Sequence, residues 1–217
     1  MNSTLKDIGP LTALVAWCVS LLAVRFWYAG NTTYGFMAWN MILALIPLAG
    51  AVWFRAAMRR HSLVFEVTAF ALWLAFLPNA PYMVTDLVHL TNLPPVPLWY
   101  DIAVFGSYAA TGVLIGYASV AIVQRVIAER FGRVVGYAVA VVSLLLCGFG
   151  IYLGRVLHWN SWDVVTAPAL LAGQISSRVL DPIDNHSAWA VSAIYGVGLV
   201  LGYLALRGVA SAFHDRQ

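Results

Sequence analysis

Charge is what this sequence has least of. Only 10% of its 217 residues are Asp, Glu, Lys or Arg, against about 25% in soluble domains. With 62% hydrophobic residues and a mean hydropathy of +0.82, a soluble globular domain is excluded. Cysteine is scarce as well. Cys18 and Cys147 each lie inside an apolar run, where they read as small buried hydrophobes and not as a disulfide or metal pair. The net charge of +3 and the pI near 9.0 come without a basic stripe interleaved with aromatics, so nucleic-acid binding has no support. No serine elbow, catalytic-cysteine signature or cofactor-binding signature occurs. The glycine runs 148–154 and 196–202 are spaced G-x-G-x-x-x-G and lie in membrane segments, which excludes a dinucleotide loop. Their small residues four apart, Gly150/Gly154 and Gly198/Gly202, suit close helix packing in lipid.

What the sequence does have is long apolar runs near the ~20 residues that cross a bilayer. Six are legible, at about 10–28, 34–54, 63–77, 98–123, 134–153 and 188–206. The fold class is all-α: one polytopic membrane helix bundle over residues 1–217, with a short interfacial or re-entrant helix after the third span. No A-x-A-like cleavage site accompanies the first apolar run, so it reads as a retained helix. Phe26, Trp27 and Tyr28 are boundary aromatics, and Arg25 beside them is expected to snorkel outward, the alternative being a pair with an acid on a neighbouring helix. Asn40 is expected to make an interhelical hydrogen bond. Glu66 is expected to pair with the neighbouring Arg59, Arg60 and His61.

Orientation follows from basic residues. Lys6, Arg55, Arg59, Arg60, Arg125, Arg130, Arg133, Arg207 and Arg216 are nine of the twelve Lys and Arg residues. Six spans put all nine on one side, which the positive-inside rule makes cytoplasmic. Both termini then face the cytoplasm of a plasma (inner) membrane, and loops 79–98 and 154–187 face out.

Those loops carry the polar residues. In the first, Pro78 and Pro81 break or kink the third helix. Asn79 is placed to cap a following short helix over 83–91, with Thr85, Asp86 and His89 on one face. The second runs Gly154-Arg155-Val156-Leu157-His158-Trp159-Asn160-Ser161-Trp162-Asp163. Three chemistries fit the combined set. A divalent metal would take Asp86 and His89, joined by His158 and Asp163. A general acid/base site would use His89 oriented by a carboxylate, acting on water or through a metal. A hydrogen-bonded lid would have Arg155 bridging Asp86 or Asp101, with Trp159 and Trp162 at the interface.

The stretches Leu77-Pro78-Asn79-Ala80-Pro81-Tyr82, Thr85-Asp86-Leu87 and His89-Leu90, with Gly154-Arg155 and Trp159-Asn160-Ser161-Trp162-Asp163, resemble an uncharacterised bacterial integral-membrane family, domain of unknown function 1361. The resemblance spans most of the chain. It implies a membrane protein, and more often a basic residue than histidine at position 158. It supplies no reaction.

The working site is therefore Asp86, His89 and Asp163 as reacting groups, with Asn79, Tyr82, Asp101, Arg155, His158, Asn160 and Trp162 binding a small molecule or lipid headgroup. No cofactor is called for unless Asp86 and His89 hold a metal. The partners are the lipid bilayer and that ligand. The alternative is a carrier subunit or a membrane-assembly component without chemistry of its own.

Overall fold

The computed structural model describes residues 2–159, 162–181 and 184–214. Helices α1 (Asn2–Ala29), α2 (Phe36–Arg60), α3 (Leu63–Phe76), α4 (Asn79–Tyr82), α5 (Leu98–Phe131), α6 (Arg133–Val156), α7 (Asp163–Thr166), α8 (Pro168–Leu180) and α9 (His186–His214) follow in order, with a 3₁₀ turn at Thr85–His89. No strand occurs among the described residues. Six segments are long and apolar enough to cross a membrane: Gly9–Ala29, Phe36–Arg60, Leu63–Tyr82, Leu98–Phe131, Arg133–Val156 and His186–Ala212. The chain is an all-α integral membrane protein. α5 lies at the centre, in contact with α1, α2, α4 and α6.

The helices outrun the apolar stretches. α2 continues to Arg60, where His61 in a left-handed conformation stops it. α5 continues to Phe131, where Gly132 at φ 95° turns the chain. The stretches expected to be basic loops are thus largely helical. At a rise of 1.5 Å per residue, the 34 residues of α5 extend about 51 Å, well beyond the hydrocarbon core. That extension carries Arg130 to the start of α3, where its Nη1 donates to both Glu66 oxygens at 2.9 and 3.0 Å. Glu66 therefore pairs across the bundle and not with the adjacent Arg59, Arg60 and His61.

The third crossing is broken. α3 covers only 14 residues before Pro78, which brings no N–H to the ladder. The backbone tightens instead of stopping. Ala80 N–H donates to Leu77 O, Val84 N–H to Pro81 O and Asp86 N–H to Met83 O, all three residues back. One short helical turn and one 3₁₀ turn result, where a single helix over 83–91 was expected. Asn79 is the first residue of α4, and the capping position falls to Pro78, which makes no side-chain capping bond.

Glycines seat the broken segment. A Cβ at Gly112 would strike Ala80 O and Met83, and one at Gly116 would touch Ala80 and Pro81 at 3.4 and 3.5 Å. On α6, a Cβ at Gly150 would run into the Pro78 ring, and one at Gly154 would meet Tyr82 at 3.2 Å. The partner of the Gly150/Gly154 pair is therefore the proline turn. Of the Gly198/Gly202 pair, Gly198 has nothing within 4 Å, whereas a Cβ at Gly202 would strike the Tyr117 hydroxyl of α5; α9 meets α6 at Gly196, against Gly148.

Arg25 does not snorkel. Its Nε donates to Asp101 Oδ1 at 2.8 Å, and the side chains are 1% and 0% exposed. The guanidinium stacks 4.2 Å from the centre of the Tyr34 ring. Burying either charge alone at this depth is expensive, so each fixes the other. Asp101→Asn is expected to lower stability by roughly 3–5 kcal/mol, because Arg25 stays buried without its counter-charge. The Arg25→Met/Asp101→Leu double variant should recover most of that in detergent thermal unfolding. A double variant as unstable as the single one would show that the pair is not the cause.

Candidate functional site

The two proline-imposed turns bring the chain back over the end of α2. Thr85 Oγ1 donates to Tyr82 O at 2.7 Å, which closes the first turn on the second. The polar side of the 3₁₀ turn faces the bundle: Thr85 and Asp86 are buried, whereas Leu87 and Val88 are exposed. Asp86 is 2% exposed and accepts a 2.7 Å hydrogen bond at Oδ2 from Asn40 Nδ2 on α2. Asn40 does make an interhelical bond, and its acceptor is a candidate site residue.

His89 ends the turn and is held from two directions. Its carbonyl accepts from the Tyr34 hydroxyl at 3.4 Å, and its ring meets the Phe36 ring edge-on at 5.4 Å. Arg155, in the last turn of α6, approaches His89 Nε2 through Nη1 at 3.1 Å. Guanidinium can only donate, so Nε2 accepts and the ring carries its proton on Nδ1. Arg155 therefore engages an imidazole, not Asp86 or Asp101 as a lid would require.

Beyond Arg155 the chain turns at His158, which holds a left-handed φ of 59°. Trp159 N–H then returns to Leu153 O at 3.1 Å. This folds the backbone back onto the helix end it has just left.

These elements enclose a cavity of about 330 Å³. Asn79, Tyr82, Asp86, His89, Arg155, His158 and Trp162 line it, together with Phe36, Trp39, Asn40, Leu43, Ala75, Trp159 and Leu171. Asp101 does not; it is committed to Arg25. Asp163 does not line it either; it opens α7 and accepts from Thr166 Oγ1 at 3.1 Å. Asn160 lies outside the described residues. Among the described residues no three His, Cys, Asp or Glu side chains group as metal ligands. The sequence reading missed Phe36 and Trp39, whose apolar surroundings disguise them. For Asn40 there was a signal, a lone amide in an apolar span.

Burial pushes the Asp86 carboxyl above the usual carboxylate range. The hydrogen bond from Asn40, the charge of Arg155 and the neighbouring His89 oppose the shift without cancelling it.

The chain belongs to the family described as protein of unknown function (DUF1361), whose sequence model matches residues 39–201. That range takes in every cavity-lining residue except Phe36. No curated protein and no solved structure matches the chain.

The raised Asp86 pKa has a definite sign. Through the affected range the folded protein holds a proton that the unfolded chain releases, so this contribution to stability is lost as pH rises. Thermal midpoints measured from acid to neutral pH should fall for the wild type relative to Asp86→Asn, which cannot titrate. A constant difference across the series would refute the assignment.

Proposed function

We propose that the cavity is a binding site for a small polar molecule or a lipid headgroup at the extracytoplasmic face of a bacterial inner membrane. One observation carries the reading. A cavity of about 330 Å³ joins Asp86, His89 and Arg155 to Phe36, Trp39, Tyr82, Trp159 and Trp162. Binding sites are typically of this size, apolar-walled, with a few convergent polar groups. Trp39 and Trp162 both line the cavity and are exposed, which supports entry from the headgroup layer, where tryptophan is favoured.

The depth of the cavity supports a binding site over a carrier. Its lining reaches inward to Leu43, Ala75 and Gly150, each within about two turns of its helix end on that side. Below them Ala51, Trp73, Leu144 and Cys147 belong to a closed apolar core. If the site also performs chemistry, the nucleophile we favour is an activated water, with no Ser, Thr or Cys among the described lining residues to take that part. His89 and Asp86 are then the groups to orient it. The outward orientation rests on the nine clustered basic residues.

Two measurements test this reading. Full-length protein purified in mild detergent should retain a lipid or polar metabolite detectable by mass spectrometry. Arg155→Ala should retain roughly tenfold less, as expected for a lost charge-assisted hydrogen bond; an unchanged complement would end the proposal. For orientation, both native cysteines are buried, so an added one reports alone. Val88→Cys should react with an impermeant maleimide in intact cells, and Arg59→Cys only after permeabilisation. The reverse pattern would turn the site to the cytoplasm.

A further inference from the structure

Asp86 and Arg155 face the same cavity, and they do not pair with each other. Among the described residues the two ion pairs are Arg25–Asp101 and Arg130–Glu66. Asp86 uses one oxygen, Oδ2, for Asn40. Its Oδ1 accepts no hydrogen bond among the described residues, although an ionised carboxylate offers about four acceptor sites. Arg155 has five N–H donors, and the hydrogen bond it makes here is to the neutral imidazole of His89. The cavity thus presents an acceptor without a donor and, beside it, a fork of donors without an anion.

From this we propose that the ligand is zwitterionic, with an ammonium on Asp86 Oδ1 and a phosphate on the Arg155 fork, as in an ethanolamine phosphate group. The inference rests on the binding role given above and specifies its ligand. Charge balance favours a zwitterion over either half. The lining side chains of fixed opposite charge are Asp86 and Arg155, so a simple anion leaves the buried carboxylate unmatched and a simple cation leaves the guanidinium so. Phosphate suits the planar fork, which can donate two parallel bonds. The ammonium would sit among the rings of Phe36, Trp39 and Tyr82, whose faces attract cations. Oδ1 requires an N–H donor, which distinguishes a primary amine from a fully methylated one.

The ligand can be a phospholipid headgroup or a soluble phosphate ester, and the test separates the two. Full-length protein in nanodiscs is titrated with phosphatidylethanolamine, its mono-, di- and trimethylated forms, and phosphatidylglycerol, with bound lipid counted by native mass spectrometry. Soluble glycerophosphoethanolamine is the competitor. Phosphatidylethanolamine should bind about tenfold more tightly than phosphatidylglycerol, with affinity falling at each methylation. Because the methylation series needs no variant, a folding defect cannot obscure it. Asp86→Asn should abolish the preference, and Arg155→Lys should weaken both lipids. Displacement by glycerophosphoethanolamine at comparable concentration would support the zwitterion with a soluble source; no displacement would support the lipid. Equal binding of phosphatidylglycerol, or indifference to methylation, would overturn the zwitterion and leave a headgroup site standing. Absence of any Arg155-dependent binding would overturn both.

Discussion

The missing N–H groups of Pro78 and Pro81 are the constraint on which this architecture turns. A regular helix from Leu63 would carry Tyr82 and Asp86 straight out into the aqueous phase. Instead the ladder switches to bonds three residues back, and the chain advances as a tighter, steeper coil. Such a segment survives at membrane depth only where protein surrounds it. Gly112 on one side and Gly150 on the other admit it at distances no Cβ would allow, and Gly116 and Gly154 continue the two contacts at wider spacing. The prolines create the irregular turn and the glycines bury it. Together they set the height at which Asp86 and His89 meet Arg155.

Two aspartates near the same end of the bundle receive opposite treatment. Asp101 is closed on Arg25 through two nitrogens, at 2.8 and 3.4 Å, and is removed from any role in the cavity. Asp86 is as deeply buried yet receives one amide and no guanidinium. Buried charge usually finds its counter-charge, so the difference separates a structural carboxylate from one that stands ready for a ligand. Groups whose environments are driven apart in this way mark sites more reliably than their residue types do.

Much of the fold was legible because hydropathy over about 20 residues is a strong, local signal. Pro78 and Pro81 are equally local, and the break they announce is present. The extents of α2 and α5 were misjudged because helix continuation past Phe54 and Val123 depends on caps at His61 and Gly132, not on hydropathy. The errors at Arg25 and Glu66 share a different cause. Each was assigned its nearest option in sequence, solvent for Arg25 and Arg59, Arg60 or His61 for Glu66. The true partners lie 76 and 64 residues away, and helix packing alone decides such distances. For the site, the gathering of residues 79–89 and 154–159 at one end followed from the topology. Which of Asp86 and Asp101 stays open did not, since that depends on Arg25 occupying Asp101.

Arg155 and Asp86 stay apart although closing that pair would satisfy both. His89 lies between them in the contact network: its Nε2 accepts a hydrogen bond from Arg155 Nη1 at 3.1 Å. The imidazole holds that position because the Tyr34 hydroxyl bonds its backbone carbonyl and the Phe36 ring abuts its side chain. Tyr34 in turn lies flat under the Arg25 guanidinium and edge-on to Phe105. A continuous set of contacts thus runs from the closed ion pair to the open one. Arg25 and Asp101 hold the ring whose hydroxyl reaches the His89 carbonyl, and the His89 imidazole bonds Arg155, so the buried pair is joined by direct contacts to the lining of the cavity.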